Sequence, residues 1–220
     1  DIRRFFQELG YFGQPSLPAK LSSAEKLIGR LLYQFQCGIK FNQHGVYQAE
    51  NVEAGKNPSL FDVGTSVYPT LLLFNHSCCP NTFRINDGKK ILVIAKHEIN
   101  PGDEVTDCYG IHHLSMPRDE RQLKLSRSFK FTCTCKACSE DWPLFPTLDS
   151  NLTQSEMGRL GNHLSLYQKK FKAGNYQEAY THCRDYLIKL KEIGIVYPHR
   201  NFEIAGLALT SCFWKPLEEK

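Results

Sequence analysis

The stretch Leu71-Leu72-Leu73-Phe74-Asn75-His76-Ser77-Cys78-Cys79-Pro80-Asn81 constrains the fold more than any other. Four apolar residues in a row predict the end of an element buried on all sides, because full burial removes any alternation. The run stops in a polar, thiol-bearing turn, so that turn is held rigidly at the end of a packed element. Cysteines recur downstream in Cys133-x-Cys135-x-x-Cys138. Three thiols at that spacing leave a tetrahedral zinc one ligand short. Cys78 is the candidate fourth ligand, with Cys79 as its rival, since adjacent side chains on extended backbone point opposite ways.

Nine cysteines in 220 residues are an odd number, and they cluster instead of spreading as a disulfide framework would. Close thiols in a reducing compartment hold metal more readily than they pair. Cys37, Cys108, Cys183 and Cys212 are read as small core residues. His97, His112 and His113 match no metal-ligand spacing and are read as surface residues. An apolar fraction of 41% with 23% charged residues is that of a soluble globular chain, long enough for one or two domains. A net charge of +4 is too small to argue for nucleic acid. No apolar stretch approaches the ~18 residues that a membrane span requires. The opening Asp1-Ile2-Arg3-Arg4-Phe5-Phe6 has no initiating Met and no secretory apolar core, so a piece of a longer intracellular protein, cytoplasmic or nuclear, is expected.

Ser22-Ser23-Ala24-Glu25 has capping-box form, and Leu27, Ile28, Leu31, Leu32 and Phe35 follow at helical spacing. A core-packing helix from Ser23 to Gln36 is predicted, stopped by Gly38, after a short helix and connector in the first twenty residues. Ile39, Phe41, Val46 and Tyr47 suggest short strands, and 53–58 a loop. Asn86-Asp87-Gly88-Lys89 between 82–85 and 90–95 is a hairpin signal, because Asp-Gly tolerates positive φ. A turn at Pro101-Gly102, a short strand over 105–109 and a charged helix over 118–125 follow. From about Asn151 the pattern is helical. Leu160, Leu164, Tyr167 and Phe171 form one stripe, Gly174-Asn175 break it, Tyr176 to Leu190 resume it, and a third helix falls near 202–214.

Asn75-His76-Ser77-Cys78-x-Pro80-Asn81, then Cys108-Tyr109-Gly110, then Phe131-x-Cys133-x-Cys135-x-x-Cys138, resembles the C-terminal half of a SET domain with its post-SET cysteines. Over 38–140 it is most similar to the SET and MYND domain-containing (SMYD) family of protein lysine methyltransferases. The doubled Cys78-Cys79 and the Cys108-Tyr109-Gly110 triplet look most like the fourth member type of that family, arthropod relatives included. The resemblance implies an α+β fold: a helical segment and connector (1–37), the C-terminal part of a β-rich SET domain (38–126), a zinc-binding post-SET segment (127–145) and a tetratricopeptide-like helical domain (146–220). It further implies S-adenosyl-L-methionine as cofactor, structural zinc on Cys78, Cys133, Cys135 and Cys138, and a lysine-bearing protein substrate. By the same resemblance Tyr109 is the catalytic tyrosine. Asn75, His76, Tyr109, Phe131 and Asn42 contact the cofactor, Phe131 by stacking on its adenine, and Phe129 lines the lysine channel. The segment holding Asn75 and His76 is threaded against the strand that bears Tyr109.

Two family features have no counterpart in these 220 residues: the Gly-x-Gly strand that supports the cofactor's methionine end, and the MYND zinc module. Either they precede Asp1 in the full protein, or the protein lacks them. The second case favours an alternative, a catalytically silent zinc-stabilised scaffold that binds a protein partner through its helical region. A nucleic-acid-binding zinc finger fails on the missing second ligand pair and on the weak charge.

Overall fold

The computed structural model describes residues 21–218; the short helix and connector predicted ahead of them lie outside these residues. The chain divides into two units, 1–44 and 45–220, each considered by itself.

In the first unit, helix α1 spans Ser23–Asn42. Its capping box is complete: the Ser22 hydroxyl accepts from the Glu25 amide (3.2 Å), and the Glu25 carboxylate accepts from the Ser22 amide (2.7 Å). The helix runs past its predicted end. Gly38 costs roughly 1 kcal/mol within a helix but stops one only when its φ turns positive, and here it stays helical. Ile39 and Phe41, predicted in strands, are therefore helical, as is Asn42, whose amide donates to the Gly38 carbonyl (2.7 Å) in the last turn. The stripe predicted to pack on a core is solvent-facing instead: Leu27, Ile28, Leu31 and Phe35 are exposed, and so is Cys37.

In the second unit, strands β1 (His44–Glu50) and β2 (Ser59–Ser66) pair. The apolar run 71–73 forms a 3-10 turn, not the end of a fully buried element. Three residues per turn send successive side chains in three directions. Leu71 is consequently buried while Leu73 is 79% exposed. Strand β3 (Asn75–His76) follows, then the predicted hairpin of β4 (Thr82–Asp87) and β5 (Lys90–Ala95). The hairpin register runs from Thr82 opposite Ala95 to Asp87 opposite Lys90. Gly88 supplies the positive φ (59°) that the tight turn requires. Strand β6 (Thr106–Asp107) precedes α2 (Arg118–Phe129) and the single-turn α3 (Lys136–Ser139). The chain then becomes helical through α4 (Gln154–Leu160), α5 (His163–Lys172), α6 (Tyr176–Glu192) and α7 (Arg200–Glu218). Gly174 and Asn175 separate α5 from α6 where the stripe breaks in the sequence.

Three apolar clusters hold this unit together. The largest joins Ala49 and Ile85 of the strands to Tyr167, Phe171, Ala179, Cys183, Leu209 and Cys212 of α5–α7, so the helices cover the hairpin. A second packs Leu160, Tyr186, Leu190, Phe202 and Ala205 within the helical part. The third is small: Ile111, Leu125, Ala137 and Trp142 around Cys78, Cys133 and Cys138. Its few large side chains stabilise by roughly 2 kcal/mol each.

His113, read from the sequence as a surface residue, is fully buried against the edge of Trp142. Its Nε2 lies 3.8 Å from Oε1 of Glu203, which also accepts from the Tyr197 hydroxyl. The His113–Glu203 contact is not an ion pair. Burial pushes His113 down to about 4 and Glu203 up to about 7, so both are largely neutral between those values. A carboxyl whose pKa rises on folding binds its proton more tightly in the folded state. The stability it contributes is full below the ordinary value of 4.5 and lost as pH rises through about 7. Glu203→Gln removes that dependence. In urea titrations the difference in unfolding free energy between Glu203→Gln and wild type shifts in favour of the variant by about 3 kcal/mol between pH 4.5 and 8. A difference that stays constant across that range would contradict the assignment.

Candidate metal centre and cofactor site

The site begins with a parallel strand pair. Asn75 lies opposite Thr106 and His76 opposite Asp107, and parallel pairing of segments this close in sequence needs a crossover between them. The β4–β5 hairpin occupies that crossover. Bonds from Ser77 N to Asp107 O (2.9 Å) and from His113 N to Cys78 O (3.0 Å) continue the contact, so residues 75–78 lie alongside 106–113. Asn81 fastens the turn. Its Oδ1 accepts from Thr106 N (2.8 Å), its Nδ2 donates to Glu104 O (2.9 Å), and its own amide donates to the Thr106 hydroxyl (3.2 Å). Asp107 is buried beside Arg84, 3.0 Å from its Nε. Burial pushes that carboxyl up and the Arg84 guanidinium pulls it back.

This threading brings Cys78 to the downstream trio. The sulfurs of Cys78, Cys133, Cys135 and Cys138 all lie within 4.8 Å of one another, with Cys78 Sγ 4.0 Å from Cys133 Sγ and 3.5 Å from Cys138 Sγ. Disulfides need about 2.05 Å. Four metal–sulfur bonds of about 2.3 Å at tetrahedral angles put the sulfurs roughly 3.8 Å apart, so the set fits a tetrahedral ion such as zinc. Cys79 is not in the set. Gln122 of α2 fixes Cys133 on both sides: its Oε1 accepts from Cys133 N (2.9 Å) and its Nε2 donates to Cys133 O (2.7 Å). The first turn of α3 sets Cys138 through a bond from its amide to Cys135 O (2.8 Å). The thiols by themselves support few charges. Hydrogen bonds from Cys133 and Cys78 hold Cys135 well below the usual thiol range, while bonds to Cys133 and Cys135 push Cys78 far up. The bond with Cys135 likewise pushes Cys133 up to about 11. A divalent cation is what allows four neighbouring thiols to ionise together.

The same threading connects the cysteines to an aromatic group. His76 Nδ1 accepts the backbone amide of Tyr109 (3.1 Å), which fixes the tautomer: the ring proton sits on Nε2, 3.3 Å from Cys78 Sγ. Burial pushes His76 down to about 4, so the ring is neutral at ordinary pH. Tyr109 donates its hydroxyl to Phe74 O (2.8 Å), and burial pushes its phenol up. Its ring centroid is 5.0 Å from that of Phe129 and 5.2 Å from that of His76; Phe131 lies 6.0 Å from His76. Lys130, in the left-handed region at φ 64°, ends α2 and turns the chain so that both flanking phenylalanines face this group. Gly110, at φ 82°, turns the chain away after Tyr109.

The structure thus gathers His76, Tyr109, Phe129, Phe131 and the four cysteines. Asn75 adjoins them on β3, its side-chain amide donating to Glu104 (2.6 Å). Asn42 belongs to the other unit, with its amide on Gly38 instead of on a strand. Sequence reasoning missed Asn81, Gln122 and Arg121. The last is fully buried, with Nη2 3.5 Å from Cys138 Sγ. Arg121 and Leu125 stand four apart on α2, and that helical spacing is the signal that one face of this charged segment turns inward.

The sequence matches the SET domain family over residues 17–110. A SET and MYND domain-containing protein of Dictyostelium discoideum is 41% identical over 78 residues, covering 36% of this chain and 6% of that protein. The protein-lysine N-methyltransferase SMYD4 of Mus musculus is 33% identical over 124 residues, covering 56% of this chain and 16% of that protein. The N-lysine methyltransferase SMYD2 of Rattus norvegicus is 35% identical over 107 residues, covering 49% and 23%. The threaded strand pair lies within this match, and over it the chain is similar to SET-domain proteins. Among such proteins it is similar to the SMYD type, and it spans less than a quarter of the length of these curated relatives.

Two outcomes follow from the geometry. Cys135→Ser leaves three thiols and lowers bound metal, measured by elemental analysis of the purified protein, by about one equivalent. Asn81→Ala removes three side-chain bonds, to Glu104 O and from the Thr106 amide and hydroxyl, and lowers the unfolding free energy by about 2 kcal/mol, read by urea titration. An unchanged midpoint would show that the clip is redundant.

Proposed function

We propose that this chain forms part of the active site of an S-adenosyl-L-methionine-dependent protein-lysine N-methyltransferase. The observation that carries the reading is the parallel pair that sets Asn75 and His76 beside Tyr109, with the rings of Phe129 and Phe131 closing on them. The names of the matched relatives, lysine methyltransferases, support the same reaction.

The cofactor supplies a methyl group on a cationic sulfonium. The residues present suit such a group, because aromatic faces and the Phe74 carbonyl are electron-rich neighbours for a cation. Phe131 offers its face to adenine, while Asn75 and His76 hold the remainder. Tyr109 has its proton committed to Phe74 O, so its oxygen lone pairs are left to accept from an incoming amine. Apolar walls from Phe129 and Tyr109 disfavour a charged lysine, which lowers its pKa toward the neutral form that attacks. Most of the rate in such a site comes from positioning and from excluding water. The four cysteines act at a distance: a metal held there ties Phe131 to the segment carrying His76.

Helices α4–α7 fit a tetratricopeptide-type surface for a protein partner, and the free thiols suit a reducing compartment, cytoplasm or nucleus.

In the full-length protein Tyr109→Phe lowers kcat by about 100-fold or more while the calorimetric Kd for S-adenosylmethionine stays within about 3-fold, since only a hydroxyl is removed. Normal turnover would remove Tyr109 from the catalytic role. The absence of any binding heat in the wild type would favour a silent scaffold.

A further inference from the structure

Helix α2 carries in its first turn a cation without an acid. The Arg121 side chain is fully buried. Its Nη1 donates to Met116 O (2.7 Å), and its Nη2 to Ala137 O (3.1 Å) and Cys138 Sγ (3.5 Å). Among the described residues no carboxylate lies within ion-pairing distance of it. A buried charge left uncompensated costs several kcal/mol even after relaxation, and two carbonyl dipoles repay only part of that. Neutral thiols would not repay the rest. A divalent ion on four thiolates carries two excess negative charges, which is the counter-charge a buried guanidinium lacks. His76 Nε2 also faces Cys78, but the other ring nitrogen accepts the Tyr109 amide, so the ring carries one proton and no charge to add to this balance.

We infer that Arg121 is the counter-ion of the tetrathiolate centre, and that its charge governs how firmly the four sulfurs retain a divalent metal and how slowly they react with electrophiles. Its bonds to Met116 and Ala137 orient the guanidinium for that role. The inference rests on the four cysteines holding a metal, and it assigns to α2 a function apart from the aromatic group.

The test uses the full-length protein as wild type, Arg121→Lys, Arg121→Gln and the double variant Arg121→Gln/Cys138→His. Each is measured for zinc content and for the rate at which excess N-ethylmaleimide releases zinc to a chromogenic chelator. Arg121→Lys keeps the charge and releases zinc within about 3-fold of wild type, whereas Arg121→Gln, neutral but able to donate, releases it about 10-fold faster or more. Cys138→His removes one negative charge from the set, so the double variant has the wild-type charge balance and returns toward the wild-type rate. If Arg121→Gln does not fold, the double variant is expected to be recovered folded and zinc-loaded. Equal rates for Arg121→Gln and wild type, Arg121→Lys as fast as Arg121→Gln, or a double variant no better than Arg121→Gln would each overturn the counter-ion role alone. A wild type without metal would overturn the metal reading and this inference with it.

Discussion

Four sulfurs from two distant stretches of chain meet within 4.8 Å, and the remainder of the site depends on that meeting. The surrounding apolar cluster is too small to enforce it, since three of its seven buried residues are the cysteines themselves. Small cores of this kind are ordinarily held by a metal or a disulfide, and sulfurs 3.5–4.0 Å apart fit the former. What the metal would clamp is specific. Cys78 lies two residues beyond the strand bearing His76, and Cys133 follows Phe131 after one residue. A single ion therefore fixes the distance between the two aromatic-bearing segments.

His76 is the residue through which the two halves touch. One ring nitrogen accepts from the Tyr109 backbone and the other faces the Cys78 sulfur, so its orientation is set from both sides. A lone histidine in an apolar run would ordinarily be a satisfied structural residue. Here satisfying its bonds is itself the link between the cysteine cluster and the tyrosine strand.

Much of this was legible in the residues. The Asp-Gly hairpin, the capping box before α1 and the stripes of α5 and α6 are local signals, and each element formed where propensity and turn chemistry placed it. The four cysteines were legible because ligand chemistry restricts their number and spacing. Other features were not. Gly38 read as a stop because its φ is invisible in a sequence, and α1 runs on to Asn42. Leu71-Leu72-Leu73 read as buried because periodicity cannot distinguish a core element from a single 3-10 turn. His113, Arg121 and Asn81 depend on partners supplied from elsewhere in the fold: Trp142, Cys138 and Thr106 respectively. No local pattern announces such contacts.

The central claim is that one metal ion joins Cys78 to Cys133, Cys135 and Cys138. X-ray absorption at the zinc edge of the purified protein tests it most directly. The account predicts a first shell of four sulfurs at about 2.3 Å with no oxygen or nitrogen. A shell containing light atoms, or fewer than four sulfurs, would contradict it.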